Sequence, residues 1–185
     1  MGDRLHEAQL VLLAQAGDRE ALEELLKGVE AVLSKYILRL VGPDAADDVL
    51  QDVFLEIYRH LRALKEPLFF RAWAYRIATR TSFRQLRSRR LWQDRFEEEI
   101  EMEDLPDNHK EGATKLLSDN VNRLLETVSP ASRAVMVLHY SEDQTIQEIA
   151  AIMQLSVGTV KSRLAYGLKC LRNATGKRND YHDRT

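Results

Sequence analysis

The segment TIQEIAAIMQLSVGTVKSRLAYGLKCLR, residues 145–172, leaves the chain little choice of local structure. Ile146, Ile149 and Ile152 recur at helical spacing, and after a short interruption Val160, Leu164, Leu168 and Leu171 do so again. Thr145 with Glu148 three residues on has the form of a capping box, and Ser156 stands where a second helix needs its cap. Ala150 and Ala151 permit a close crossing, and Leu155 plugs the turn between the two helices. The pattern predicts a helix-turn-helix. At the start of its second helix the outward positions are Thr159, Lys161, Ser162 and Arg163. A helix N-terminus attracts phosphate, and first-turn side chains of this kind reach base edges in the major groove. An ordinary helical hairpin has the same periodicity, so residue pattern alone leaves that alternative open.

The remainder reads as helical too. The 185 residues contain 8 Gly and 4 Pro, and no stretch alternates apolar and polar residues long enough to make a strand. The expected fold is all-α: two small helical domains, 1–92 and 114–173, joined by a flexible acidic linker, 93–113, with a loose polar tail, 174–185. In the first domain, helices are expected over 6–15 and then to residue 40, broken at Gly17 with Asp18 as the cap. A Gly42-Pro43-Asp44 turn leads to a helix over 45–64, with Val49, Leu50, Val53, Phe54, Ile57, Tyr58 and Leu61 as its buried stripe. Beyond Pro67, a helix over 69–90 turns Phe70, Trp73, Ala74, Ile77 and Thr81 inward. The second domain begins with a helix over 116–127, and a Ser129-Pro130 start opens a helix to residue 140.

Catalysis finds no support. One cysteine, Cys170, excludes an internal disulfide or a cysteine-based zinc site, and the five histidines have no metal-ligand spacing. There is no Gly-rich phosphate loop and no nucleophile elbow. No catalytic residue, metal or cofactor is expected. The sequence shows no signal peptide or membrane-length apolar run, so a cytoplasmic protein without membrane contact is expected.

A net charge of −2 conceals strong segregation. Residues 59–95 hold eleven Lys/Arg against two acids, whereas residues 97–111 hold eight acids against Lys110. Arg76, Arg80, Arg84 and Arg87 fall at helical steps of four, four and three, forming a column that Arg89 and Arg90 extend. Like charges in a column repel, and a phosphate backbone removes that penalty. Phe69, Trp73, Tyr75 and Phe83 are interleaved with them; Trp73 fits a core, while Tyr75 also suits stacking on an unpaired base. A second column, Asp48, Asp52 and Glu56 with Gln51 beside it, calls for a basic protein surface, since DNA would be repelled. Solvated helix faces are the plainer reading of both columns.

These stretches together resemble the extracytoplasmic-function (ECF) group of sigma-70-type sigma factors, the bacterial initiation subunits of RNA polymerase. GDREALEELL, DAADDVLQDVFLEIYRHL and FRAWAYRIATRTSFRQLRSRR look like the family's region 2. LLETVSPASRAVMVLHYSEDQTIQEIAAIMQLSVGTVKSRLAYGLKCLR looks like its region 4. Residues 18–172 cover both in the family's order, with nothing corresponding to region 1.1 or region 3. The resemblance implies a non-catalytic factor. Asp48, Gln51, Asp52 and Glu56 would dock on the clamp helices of the core polymerase's largest subunit. Tyr75, Arg76, Arg80, Arg84, Arg87, Arg89 and Arg90 would hold the melted promoter −10 element, with the 62–69 loop capturing an extruded base. Ser156, Thr159, Lys161, Ser162, Arg163 and Tyr166 would face the −35 duplex. The flap region of the polymerase and an anti-sigma factor would be further partners, and the acidic linker would run toward the RNA-exit path. The sequence departs from the family's usual pattern in three places. RALKEPLFF lacks the common Phe-Arg-Gly-like stretch, Arg80 stands where Asn is frequent, and Ala165 and Tyr166 stand where larger or basic residues often continue the recognition helix. A free-standing regulator that dimerises through its N-terminal helices is the competing reading; it needs neither the acidic column nor a single-strand-type basic helix. An all-helical enzyme is the third.

Overall fold

Gly17 and Gly42, at φ 103° and 80°, are the corners at which the N-terminal part of the chain reverses. Only glycine takes such a backbone without strain. The computed structural model describes residues 2–91 and 124–182, with side chains for 4–88 and 124–175, and no strand occurs among the described residues. Helix α1 spans Gly2–Gln15, α2 Arg19–Val41 and α3 Pro43–His60. Two short 3₁₀ turns, Leu61–Ala63 and Pro67–Phe69, lead into α4, Phe70–Leu91. Asp18 starts α2 as the sequence predicts, its carboxylate accepting from the backbone N–H of Glu20 (3.0 Å) and Ala21 (3.1 Å). Pro43 takes the N1 position of α3, where a missing N–H does no harm.

Helix α2 packs against α1, α3 and α4, and the core lies around it. Leu25, Val29, Leu33, Tyr36, Ile37 and Leu40 are fully buried there. Val49, Val53 and Ile57 of α3 meet them, as do Phe70, Ala74 and Ala78 of α4. The stripe of α3 is narrower than expected. Val49, Val53 and Ile57 fall at steps of four along one line, whereas Tyr58 lies a further 100° round the helix and is 65% exposed. Helix α3 also ends at His60 rather than 64, because the next three residues tighten into a 3₁₀ turn.

The chain divides into two compact units, Met1–Gln93 and Asp94–Thr185. In the second, residues 124–126 are helical, followed by α5 (Pro130–Tyr140), α6 (Ile146–Met153) and α7 (Val157–His182). Helix α5 is buried nearly all round, through Ser132, Ala134, Val135, Met136, Val137 and Leu138. Ser129 makes no side-chain cap; instead Arg133 Nη2 donates to the carbonyls of Glu126 (3.2 Å) and Val128 (3.1 Å), tying down the turn before the helix. The loose tail expected after residue 173 is corrected: α7 continues to His182. Extending an existing helix adds a hydrogen bond per residue with no nucleation cost, and no proline stops it. The expected linker over 93–113, the start of the helix over 116–127, and residues 183–185 of the expected tail lie outside the described residues.

Candidate nucleic-acid interface and docking surface

Along α4, Arg80, Arg84 and Arg87 are exposed and Arg76 is half-buried. Arg89 and Arg90 lie in the same helix, but their side chains are outside the described residues. The aromatic residues divide differently from expectation. Tyr75 is 4% exposed and stacks edge-on against Tyr36 of α2, with ring centroids 5.4 Å apart. It belongs to the core and cannot reach a base without leaving it, which corrects its assignment to the DNA face. Trp73 and Phe83 are half-buried. Phe69, beside Leu68 in the short turn before α4, is 64% exposed. An exposed large apolar side chain at the start of a basic helix is a place where an unstacked base can settle.

That turn is held by α1. Gln15 Nε2 donates to the carbonyls of both Leu61 and Leu64, each at 2.8 Å, which fixes one end of the 61–69 segment. Arg71, two residues beyond its other end, donates through Nε to Glu7 Oε2 at 2.7 Å, and Glu7 is buried. Neither contact was visible in the sequence, because the partners are 46 to 64 positions apart.

The acidic column on α3 is only partly available. Asp48 and Gln51 are exposed. Asp52, also exposed, approaches Arg84 Nη2 at 3.7 Å, so the acidic and basic columns, read separately in sequence, meet where α3 packs against α4. Glu56 faces side chains of its own helix, with His60 Nε2 at 3.3 Å and the Arg59 guanidinium Nη1 at a loose 3.9 Å. Beside this column Leu26, Gln51, Phe54, Leu55 and Tyr58 line an open, largely apolar groove between α2 and α3. Sequence reasoning missed Leu26 and Leu55 and buried Tyr58; the available signal was an excess of large apolar residues on α3 beyond what one inward face can hold.

In the second unit the local signals hold. Thr145 Oγ1 accepts from the backbone N–H of Glu148 (3.2 Å), whose carboxylate accepts from the Thr145 N–H (2.9 Å), completing the capping box. The turn closes on Gln154, at φ 57°, with the Leu155 N–H bonded to the Ala150 carbonyl at 2.9 Å. Ser156 caps α7, accepting from the Thr159 N–H at 3.0 Å, and its hydroxyl meets that of Thr159 at 2.8 Å. These two hydroxyls therefore shape the helix start. Lys161 and Ser162 are exposed, Arg163 and Tyr166 half-buried, and Val157 is 41% exposed. Val160 and Leu164 face inward as expected. Burial pushes the Tyr140 phenol above its ordinary range, although Arg172 pulls the other way. Among the described residues no cluster of His, Cys, Asp and Glu could hold a metal, and no helix is long and apolar enough to cross a membrane.

Comparison with known proteins places both units. The Sigma-70 region 2 family matches residues 22–91, and the Sigma-70, region 4 family matches residues 124–173. The chain is 27% identical to the ECF RNA polymerase sigma-E factor of Escherichia coli K12 over 183 residues, covering 94% of this chain and 96% of that one. The sigma-E factor of Haemophilus influenzae is 26% identical over 183 residues, covering 94% of this chain and 97% of that one. Among solved structures, CnrH in complex with the cytosolic domain of CnrY matches with a TM-score of 0.70 at 22% identity, covering 93% of this chain and 98% of that one. The sigma factor RpoE in complex with the anti-sigma factor NepR from Bartonella quintana matches with a TM-score of 0.64 at 22% identity, covering 82% and 94%. With regions 2 and 4 in order and relatives matching along nearly their whole length, the chain belongs to the sigma-70 family, in its extracytoplasmic-function group, and is a non-catalytic RNA polymerase sigma factor.

Proposed function

We propose that the surfaces of this sigma factor divide its work as follows. The exposed part of α3, Asp48, Gln51 and Asp52, docks on the basic clamp helices of the core polymerase's largest subunit, and the adjoining groove of Leu26, Phe54, Leu55 and Tyr58 receives apolar side chains from the same helices. Glu56 contributes less, because its carboxylate is half-buried and already approached by Arg59 and His60 of its own helix. Arg76, Arg80, Arg84 and Arg87, continued by Arg89 and Arg90, hold the non-template strand of the −10 element. Phe69, at the end of the 62–69 loop, offers its ring to a base drawn out of the stack. On α7, Lys161 and Ser162 read the −35 duplex, while Ser156 and Thr159 set the helix start and Arg163 and Tyr166 flank it. The second unit also meets the flap region of the polymerase. An anti-sigma factor that covers these faces is the expected regulator, in keeping with the partners held by CnrH and RpoE in their solved complexes. The protein acts in the cytoplasm, with the polymerase.

The observation that carries this reading is the joining of three features in one small unit: an exposed arginine column, a braced loop presenting Phe69, and an acidic face on the neighbouring helix. Reconstitution with core polymerase tests it. The expected result is specific run-off transcription from promoters that core alone leaves silent; clean failure to bind core would refute the assignment.

A further inference from the structure

Gly158 stands in the first turn of a helix, and nothing among the described residues asks for glycine there. It lies in the first turn of α7 and is exposed, and it is not among the positive-φ glycines. A Cβ added there meets only the hydroxyl oxygen of Ser156, at 3.6 Å, an ordinary van der Waals contact. Alanine would therefore fit, and it is the better helix former, since glycine surrenders more backbone freedom on ordering. Gly167 in the same helix is the contrast. A Cβ at that position would run into the Met136 side chain, which would have to shift to admit it. Gly28 of α2 shares the open surroundings of Gly158. What separates the two is setting. Gly158 sits among exposed Val157, Lys161 and Ser162, on the outward side of the helix assigned to duplex DNA, and its turn is locked by the Ser156–Thr159 hydroxyl pair.

We propose that Gly158 is the point of closest approach between α7 and the −35 duplex, a positioning residue whose missing side chain lets Lys161 and Ser162 reach the base edges. A methyl group at 158 would hold the helix off by about 1.5 Å, one carbon–carbon bond length. That carries hydrogen bonds centred near ~2.9 Å out of their useful range. The inference rests on the assignment of α7 to the −35 element, and its test separates the two.

Holoenzyme is reconstituted from core polymerase and either wild type or Gly158→Ala. Two probes are used: promoter duplexes selected by the wild-type holoenzyme from a random-sequence pool, and a forked −10 template with no upstream duplex. The variant is expected to unfold at the same temperature as wild type or higher, to bind core equally, and to use the forked template equally. On the selected duplexes it is expected to lose about tenfold or more in affinity, the scale of one good base contact. Equal affinity on those duplexes would overturn the proposal. A lowered unfolding temperature would overturn it as well, because the fold would then need this glycine. If wild type itself gains nothing from upstream duplex over the forked template, the −35 assignment fails and the proposal falls with it.

Discussion

The hydroxyl of Ser82 is fully buried in α4 and has no hydrogen-bond partner among the described residues. Three residues earlier, Thr79 solves the same problem. It donates to the Tyr75 carbonyl at 2.8 Å and meets the Tyr36 hydroxyl at 2.8 Å; with its own hydrogen spent, Tyr36 is the donor. Burying a hydroxyl without a partner forfeits its hydration and gains little in return. Ser82→Ala is therefore expected to stabilise the first unit by about 1 kcal/mol. The measurement is urea unfolding, with a raised midpoint and an unchanged slope; a lowered midpoint would contradict it. This scale is also where the sequence misled. Tyr75 sits between arginines in the chain, but its surroundings are set by Tyr36, on another helix, and spacing along α4 carries no information about α2.

Among the elements, α1 has a role that no local pattern announces. Its Gln15 and Glu7 hold the two ends of the segment that presents Leu68 and Phe69. Gln15→Ala removes two hydrogen bonds from that segment, worth roughly 1–2 kcal/mol together, and so a five- to thirtyfold shift of the loop's order–disorder equilibrium is expected. The readout is fluorescence of 2-aminopurine placed in the −10 element, which reports strand opening. Opening should fall, by at most that factor, while affinity for upstream duplex stays unchanged; equal opening would show that the brace does not matter for function. The helix-turn-helix is the opposite case. Its capping box, its turn and its Ser156 cap were all legible, because each bond joins residues within five positions of one another.

For the whole molecule, function depends on docking to a much larger partner, and charge is the lever. Reversal at Asp48 and Asp52 (Asp48→Lys, Asp52→Lys) is expected to abolish co-elution with core polymerase while the helical signal of the second unit is retained. Because Asp52 also approaches Arg84, the double variant disturbs the arginine column as well. Asp48→Lys alone isolates docking and is expected to weaken core binding about tenfold, more at low salt than at high, since exposed charges are screened. Unchanged affinity in both variants would show that α3 is not the docking face.

The sequence by itself determined the all-helical class, the helix starts at Asp18, Thr145 and Ser156, the helix-turn-helix, and the segregation of charge. Those features follow from 3.6-residue periodicity, caps and composition, which act over a few neighbouring residues. Tertiary structure alone decided which side chains remain available for partners. It buried Tyr75, exposed Tyr58 beside Leu26, brought Asp52 to Arg84, and set Gly167 against Met136 while leaving Gly158 with no such close neighbour among the described residues. Each outcome depends on which helix packs against which, and that is settled by contacts between residues far apart in the chain.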